Sequence, residues 1–127
     1  MCSSDLPDGG PFPNDTPAGC SRNALHHADA ALQRLWRGLC ALRPPEHWLL
    51  CVVGDHGQAF GEHAGNFGHS FAVYEENLRV PLGFVAPGTA LHGVHDAPCS
   101  HLDVVPALLD LLGVPGGAGL PTTGAPV

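Results

Sequence analysis

Asp55 and His56 are adjacent, and both side chains offer atoms that bind a divalent cation. A carboxylate oxygen beside a neutral imidazole nitrogen suits zinc or manganese, with calcium or magnesium also possible, and a cation so held polarises an ester oxygen or a nucleophile. Neighbouring side chains on a regular strand point to opposite faces, so the two could share one ion only where the backbone turns. Gly54 and Gly57 permit such a turn. Taken alone, the dipeptide is more simply an Asp and a His in a solvated loop. The following stretch, Gln58 to His69, is rich in glycine and carries Glu62, His63, Asn66 and His69 among small residues. That composition suits a loop wrapped around a site, with His63 and His69 as candidates for ligand or substrate contact and solvated loop histidines as the plainer reading. His26 and His27 diverge by about 100° on a helix and read as solvated first-turn residues.

The element that must deliver Asp55 is the apolar run Trp48 to Val53, bounded by Pro44-Pro45 and Gly54. Its shortness and flanks predict a strand covered on both faces, with the candidate ligands leaving its carboxyl end. Before it, Leu25, Ala28, Leu32, Leu35, Trp36, Leu39 and Leu42 recur at three- and four-residue spacing, predicting an amphipathic helix of about six turns capped by Ser21 and ended by Pro44-Pro45. After the loop, Ser70 to Asn77 is expected to form one or two helical turns with Phe71, Val73 and Tyr74 inward and Glu75 and Glu76 exposed. Arg79 to Val85 reads as a second buried strand closed by a Pro87-Gly88 turn. A last helix carries Val104, Val105, Leu108, Leu109 and Leu112, with either Ser100 or Asp103 able to cap it, Pro106 falling at the third helical position if Asp103 does, and Gly113 just past the end. Residues 1–20 read as loop or disorder, 21–115 as the folded part and 116–127 as a disordered tail.

A net charge of −7, with five arginines and no lysine, argues against an electrostatic grip on nucleic acid or an anionic membrane. An anionic substrate would then need local help from a metal or from histidines. The five cysteines form no CxxC pair and are odd in number, so they read as mostly small buried hydrophobes. No apolar run approaches about 18 residues, so no membrane segment is expected. Residues 1–5 show neither a basic nor an apolar leader region, and localisation stays open.

Read together, several ordered stretches resemble the later part of the catalytic domain of the sulfatase family, within the alkaline phosphatase superfamily. Asn23-Ala24-Leu25 through Asp29-Ala30-Ala31-Leu32 is similar to the helix before that family's metal strand. Val53-Gly54-Asp55-His56-Gly57 followed by Gly61-Glu62-His63 is similar to the metal-binding strand end and loop. Tyr74-Glu75-Glu76-Asn77-Leu78-Arg79-Val80-Pro81-Leu82 resembles the segment leading to the next strand, and Ser100-His101-Leu102-Asp103-Val104-Val105-Pro106 the helix after it. The resemblance implies an α/β fold, a partial alkaline-phosphatase-like core with helices packed on a small, mainly parallel sheet in which Leu49–Val53 runs parallel to Leu82–Val85. It also implies that Asp55 and His56 bind the catalytic divalent metal and that His69 contacts the substrate.

The departures matter as well. The family's nucleophile, a Cys or Ser in a Cys/Ser-x-Pro-x-Arg motif or a Thr in its transferase branches, has no counterpart here. Cys20-Ser21-Arg22 lacks the proline, and Cys40-Ala41-Leu42-Arg43-Pro44 has its Pro and Arg in the wrong order. The familiar Ser or Thr of the metal strand is Gly54. The expectation is therefore a fragment of a sulfatase-like hydrolase of sulfate or phosphate esters, on small-molecule, glycan or lipid carriers, inactive by itself. Two alternatives stand beside it: a non-catalytic remnant acting as a binding module, or part of a phosphotransferase of the lipoteichoic-acid-synthase-like branch.

Overall fold

The computed structural model describes residues 9–70, 72–90 and 92–115. It divides into two compact units, Met1–Thr89 and Ala90–Val127. The expected tail, residues 116–127, and Phe71 lie outside the described residues.

The first unit opens with helix α1, Pro17–Leu42. It starts earlier than the apolar spacing suggests, because Thr16 rather than Ser21 is the cap. The Thr16 hydroxyl accepts from the Gly19 N–H at 3.0 Å, and Pro17 takes the first helical position, where a missing N–H costs nothing. Arg43 ends the helix in an extended conformation, as a residue before proline prefers. Just inside the helix, Asn23 is buried, and its side-chain amide both accepts from the Phe12 N–H at 3.0 Å and donates to the Phe12 carbonyl at 2.9 Å. That pair of bonds ties the preceding segment to α1. Leu25, Leu35 and Leu42 of the expected apolar face are exposed. Cys20 is buried and disulfide-bonded, whereas Cys40, Cys51 and Cys99 are free thiols, Cys99 exposed, so the cysteines are not simply core hydrophobes.

Strand β1 spans Leu50–Val53; β2, Ala59–Phe60, and β3, Phe67–Gly68, form a small hairpin; a single helical turn, α2, covers Glu75–Leu78; and β4 spans Leu82–Val85. The order of helix, strand, short helix and strand follows the sequence reading, with the hairpin added. The sheet does not. β1 and β4 pair antiparallel, Leu50 opposite Val85 and Val53 opposite Leu82, which corrects the parallel expectation. A parallel return needs a crossover that carries the chain back to the start of β1, usually a helix. Among the described residues here, the helix between the strands is the one turn of α2, and the chain re-enters beside its own exit, where the Gly54 N–H donates to the Pro81 carbonyl at 3.0 Å. β1 is also not covered on both faces: Val52 and Val53 remain 37% and 41% exposed.

The expected polarity of the segment around α2 holds for Glu75, which is exposed, and fails at three other residues. Val73 and Tyr74 are exposed, while Glu76 keeps only 12% of its side chain accessible. β4 ends in a turn with Pro87 and a left-handed Gly88, φ +86°, in its two central positions and the Thr89 N–H donating to the Ala86 carbonyl at 3.2 Å. This is the type II arrangement that favours those two residues.

The second unit carries helix α3, His101–Leu111. Ser100, not Asp103, is its cap: the Ser100 hydroxyl accepts from Leu102 N–H at 3.2 Å, and the buried Asp103 carboxylate reaches back to the Ser100 N–H at 2.7 Å. This capping box offsets two otherwise orphaned donors at once, which a lone Asp103 cap would not. It places Pro106 inside the helix rather than in its first turn. Gly113 follows the helix at φ +65°, the left-handed position expected of it. No helix among the described residues is long and apolar enough to cross a membrane.

Candidate functional site

Asp55 and His56 lie in a bend immediately past β1, where alternation across a strand no longer separates them. The Asp55 Oδ1 accepts from the His56 backbone N–H at 2.9 Å and stands 3.8 Å from His56 Nε2. That N–H is the main reason the Asp55 carboxyl is held below the usual range; its own N–H and the His56 and His69 imidazoles act in the same direction. Asp55 is therefore a carboxylate, with an open side chain, across the physiological range.

The His56 ring is fixed by its other nitrogen. Nδ1 lies 2.8 Å from the Gly57 carbonyl, which can only accept, so Nδ1 carries a proton and Nε2, 3.8 Å from the Asp55 Oδ1, is the nitrogen left for a ligand. A carboxylate oxygen and an imidazole nitrogen 3.8 Å apart are closer than the sum of two ligand bonds, about 4.2 Å, so both can reach one cation. The pair fits a divalent metal as half of a coordination sphere. Among the described residues no group of three or more His, Cys, Asp or Glu side chains could hold an ion.

Gly57 works by size, not by a left-handed backbone. Its φ is not positive, but a Cβ there would run into the Glu76 carbonyl oxygen and come within 2.9 Å of the Arg79 carbonyl. Without a side chain the strand end sits against α2, and the Gly57 N–H donates to the Asn77 carbonyl at 2.8 Å. Gly54 is similarly crowded, since a Cβ there would meet Val80 and Pro81 side chains at 3.0 Å. The turn that joins Asp55 to His56 thus comes from close approach of two backbones, rather than from glycine's conformational freedom.

His69 arrives by the hairpin. Ala59 pairs with Gly68 and Phe60 with Phe67, with Gly65 and Gly68 left-handed at φ +81° and +83°. Continuing that register sets Gln58 opposite His69, and Gln58 Oε1 lies 3.3 Å from His69 Nδ1. The same return stacks the His69 ring on His56, with centroids 3.9 Å apart and planes 20° from parallel. The structure therefore brings Asp55, His56 and His69 into one cluster. His63 goes elsewhere: its ring stacks on Tyr74 at 4.0 Å, and its Nδ1 pairs with Glu76 Oε1 at 2.8 Å.

Four residues that the sequence did not single out for the site complete the surroundings. Gln58 is the partner of His69; Glu76, Asn66 and Asn77 form a polar knot beneath the loop, with Asn66 Nδ2 donating to Glu76 Oε1 and to Asn77 Oδ1, each at 2.7 Å. Burial works to raise the Glu76 carboxyl, but its own backbone N–H and the side chains of His63 and Asn66 outweigh it and hold the group below the ordinary glutamate range. Buried Asn side chains leave no periodic signature in a sequence. Only the hairpin flanks of Gln58 and His69 offered a hint.

The sulfatase family model matches residues 8–114, most of the chain and the whole of this cluster. The chain belongs to the sulfatase family. As a sulfatase relative it is 36% identical over 90 residues to a choline-sulfatase of Rhizobium meliloti (strain 1021), an alignment covering 71% of this chain and 17% of that protein. It is 30% identical over 91 residues to an extracellular sulfatase SULF-1 homolog of Drosophila melanogaster, covering 72% of this chain and 8% of the relative. A sulfatase ppz1 of Metarhizium majus (strain ARSEF 297) is 33% identical over 66 residues, 52% of this chain and 15% of that protein. The chain thus spans less than a fifth of the length of these relatives. No solved structure matches it significantly.

Proposed function

We propose that the chain is part of a metal-dependent sulfatase-like hydrolase, supplying Asp55 and His56 to a divalent cation and His69 to the ester. The observation that carries this reading is the convergence of the three side chains: His56 Nε2 faces Asp55 at 3.8 Å while the His69 ring stacks on His56 at 3.9 Å. When bound, a divalent cation would stabilise negative charge developing on the ester oxygens. Asp55, ionised, and His56, with its Nε2 left for a ligand by the Gly57 hydrogen bond, are the groups that would hold it. In hydrolysis a nucleophile attacks sulfur or phosphorus, the bond to the ester oxygen breaks, and that oxygen takes up a proton. His69, with Nδ1 turned to Gln58, has Nε2 left to hydrogen-bond an anionic oxygen or to deliver that proton from the imidazolium.

The remaining ligands and the nucleophile lie outside this cluster, so the 127-residue chain by itself is inactive in this reading. Residues 21–115 are then the catalytic part, and an alkaline-phosphatase-like core forms only with the strands that the longer relatives supply. The substrate is a sulfate ester, in keeping with the relatives' names, and the choline-sulfatase points to the ester of a small alcohol as the first to try. In a full-length enzyme carrying this segment, His56→Ala should lose bound metal and turnover together. His69→Ala should lose turnover with metal content retained. Metal loss in the His69 variant would make that residue a ligand instead, and unchanged turnover in both would overturn the reading. Metal-dependent ester hydrolysis by the 127-residue chain, abolished by Asp55→Ala, would refute its inactivity.

A further inference from the structure

The stacked imidazoles of His56 and His69 belong to two different segments, the end of β1 and the end of the hairpin, and the hairpin ladder joins the two stretches of chain only from Ala59 onward, opposite Gly68. Asn77 bonds to the residue beside each histidine. Asn77, 6% exposed within α2, accepts the Gly57 N–H on its backbone carbonyl at 2.8 Å and donates from its side-chain amide to the Gly68 carbonyl at 3.0 Å. Gly57 directly follows His56 and Gly68 directly precedes His69. Asn77 is itself held: Asn66 Nδ2 donates to its Oδ1 at 2.7 Å, and its own N–H bonds to the Tyr74 carbonyl at 3.0 Å.

We propose that Asn77 is the positioning residue of this site, a two-armed clamp whose main chain sets His56 and whose side chain sets His69. The first arm works through Gly57. Its N–H, in the His56–Gly57 peptide, is held by Asn77, which anchors the residue whose own carbonyl, in the next peptide, receives His56 Nδ1–H at 2.8 Å. The second arm fixes the last peptide before His69, at the left-handed Gly68 where β3 ends and the ladder with Ala59 stops. Buried, fully partnered amides hold geometry well, because a misplaced one leaves unsatisfied polar groups that cost more than the bond itself contributes. The clamp needs an amide at this position: an aliphatic residue loses the second arm, and a carboxylate presents only acceptors to the Gly68 carbonyl.

The proposal rests on the site reading above, but its test reads geometry in the metal-free chain, so the two can fail separately. In isotope-labelled chain, nuclear Overhauser contacts between the His56 and His69 ring protons report the stack. Asn77→Asp keeps the shape, the backbone arm and the bond from Asn66, and sets a charged acceptor against the Gly68 carbonyl in place of the donor. It should abolish the inter-ring contacts while hydrogen-exchange protection of the Gly57 N–H stays within about twofold of the unsubstituted chain. Retained inter-ring contacts in that variant overturn the proposal, as does loss of Gly57 protection in a variant that is still folded. Should Asn77→Asp fail to fold, the unsubstituted chain decides: Gly57 N–H and the Asn77 side-chain amide protons should exchange at least about tenfold slower than in an unstructured peptide. Exchange of either at the unstructured rate overturns the clamp. Loss of turnover in full-length Asn77→Asp, with metal content kept, would then extend the role from geometry to catalysis.

Discussion

Replacing Gly57 by alanine is the most incisive test of how the strand end is held. The added methyl would point at the Glu76 carbonyl oxygen, with the Arg79 carbonyl oxygen at 2.9 Å and the Asn77 carbonyl carbon at 3.0 Å. Carbon contacts settle at about 3.5–4.0 Å, and backbone atoms cannot rotate aside as a side-chain tip can, so one segment must retreat. Retreat breaks the 2.8 Å bond from Gly57 N–H to Asn77. The lost bond costs about 1 kcal/mol. Overpacking against fixed atoms adds about 1–3 kcal/mol, for a total of roughly 2–4 kcal/mol on the local opening equilibrium. At about 1.4 kcal/mol per tenfold, exchange at the residue 57 amide should accelerate about 30- to 700-fold after correction for the intrinsic rate of alanine. Gly83→Ala is the matched control: Gly83 lies in β4, nothing stands within 4 Å of its Cβ, and its φ is not positive. That change should be neutral or slightly stabilising. A Gly57→Ala chain whose residue 57 amide is as protected as before, with the His56 and His69 rings still in contact, would refute the close-approach account of this turn.

Gly38 sits inside α1 with open space around its Cβ, so Gly38→Ala should raise stability by roughly 0.5–1 kcal/mol, read as a shifted urea midpoint at unchanged slope. Ser100→Ala removes one half of the α3 capping box and should cost about 1 kcal/mol, visible as reduced far-ultraviolet helicity and faster exchange in the first turn of that helix. The Glu76 carboxyl is depressed in the folded chain, so the stability it contributes is present above the unfolded glutamate value and disappears as pH falls through the lower folded value. Acid titration of the wild-type chain should therefore lose the His63–Tyr74 ring contact below the ordinary glutamate range, and Glu76→Gln should be less stable at neutral pH with a flatter acid limb. Parallel acid limbs for the two chains would remove Glu76 from the account.

What the chain's residue order determined is largely local chemistry. Pro44-Pro45 ends α1 because a residue before proline leaves the helical region, Gly113 follows α3 because it alone tolerates the left-handed turn, and Pro87-Gly88 dictates the turn after β4. Asp55, His56 and His69 were also legible as candidates, since their types and their place after an apolar strand carry chemistry irrespective of packing. Caps were half-legible: Thr16 and Ser100 are good cap residues, but several neighbours qualify, and the choice falls to whichever hydroxyl the backbone satisfies first. Tertiary structure alone decided the rest. Strand direction depends on where a chain re-enters a sheet, and only the short α2 and the Gly54–Pro81 contact make β4 antiparallel to β1. The apolar residues of β1 and α1 announce that burial is needed without saying what covers them, so their exposure was invisible in the pattern. The burial of Glu76, Asn66 and Asn77 was equally hidden, because a polar side chain goes inside only when partners distant in sequence meet all its hydrogen bonds, and those partners come together only in the folded loop.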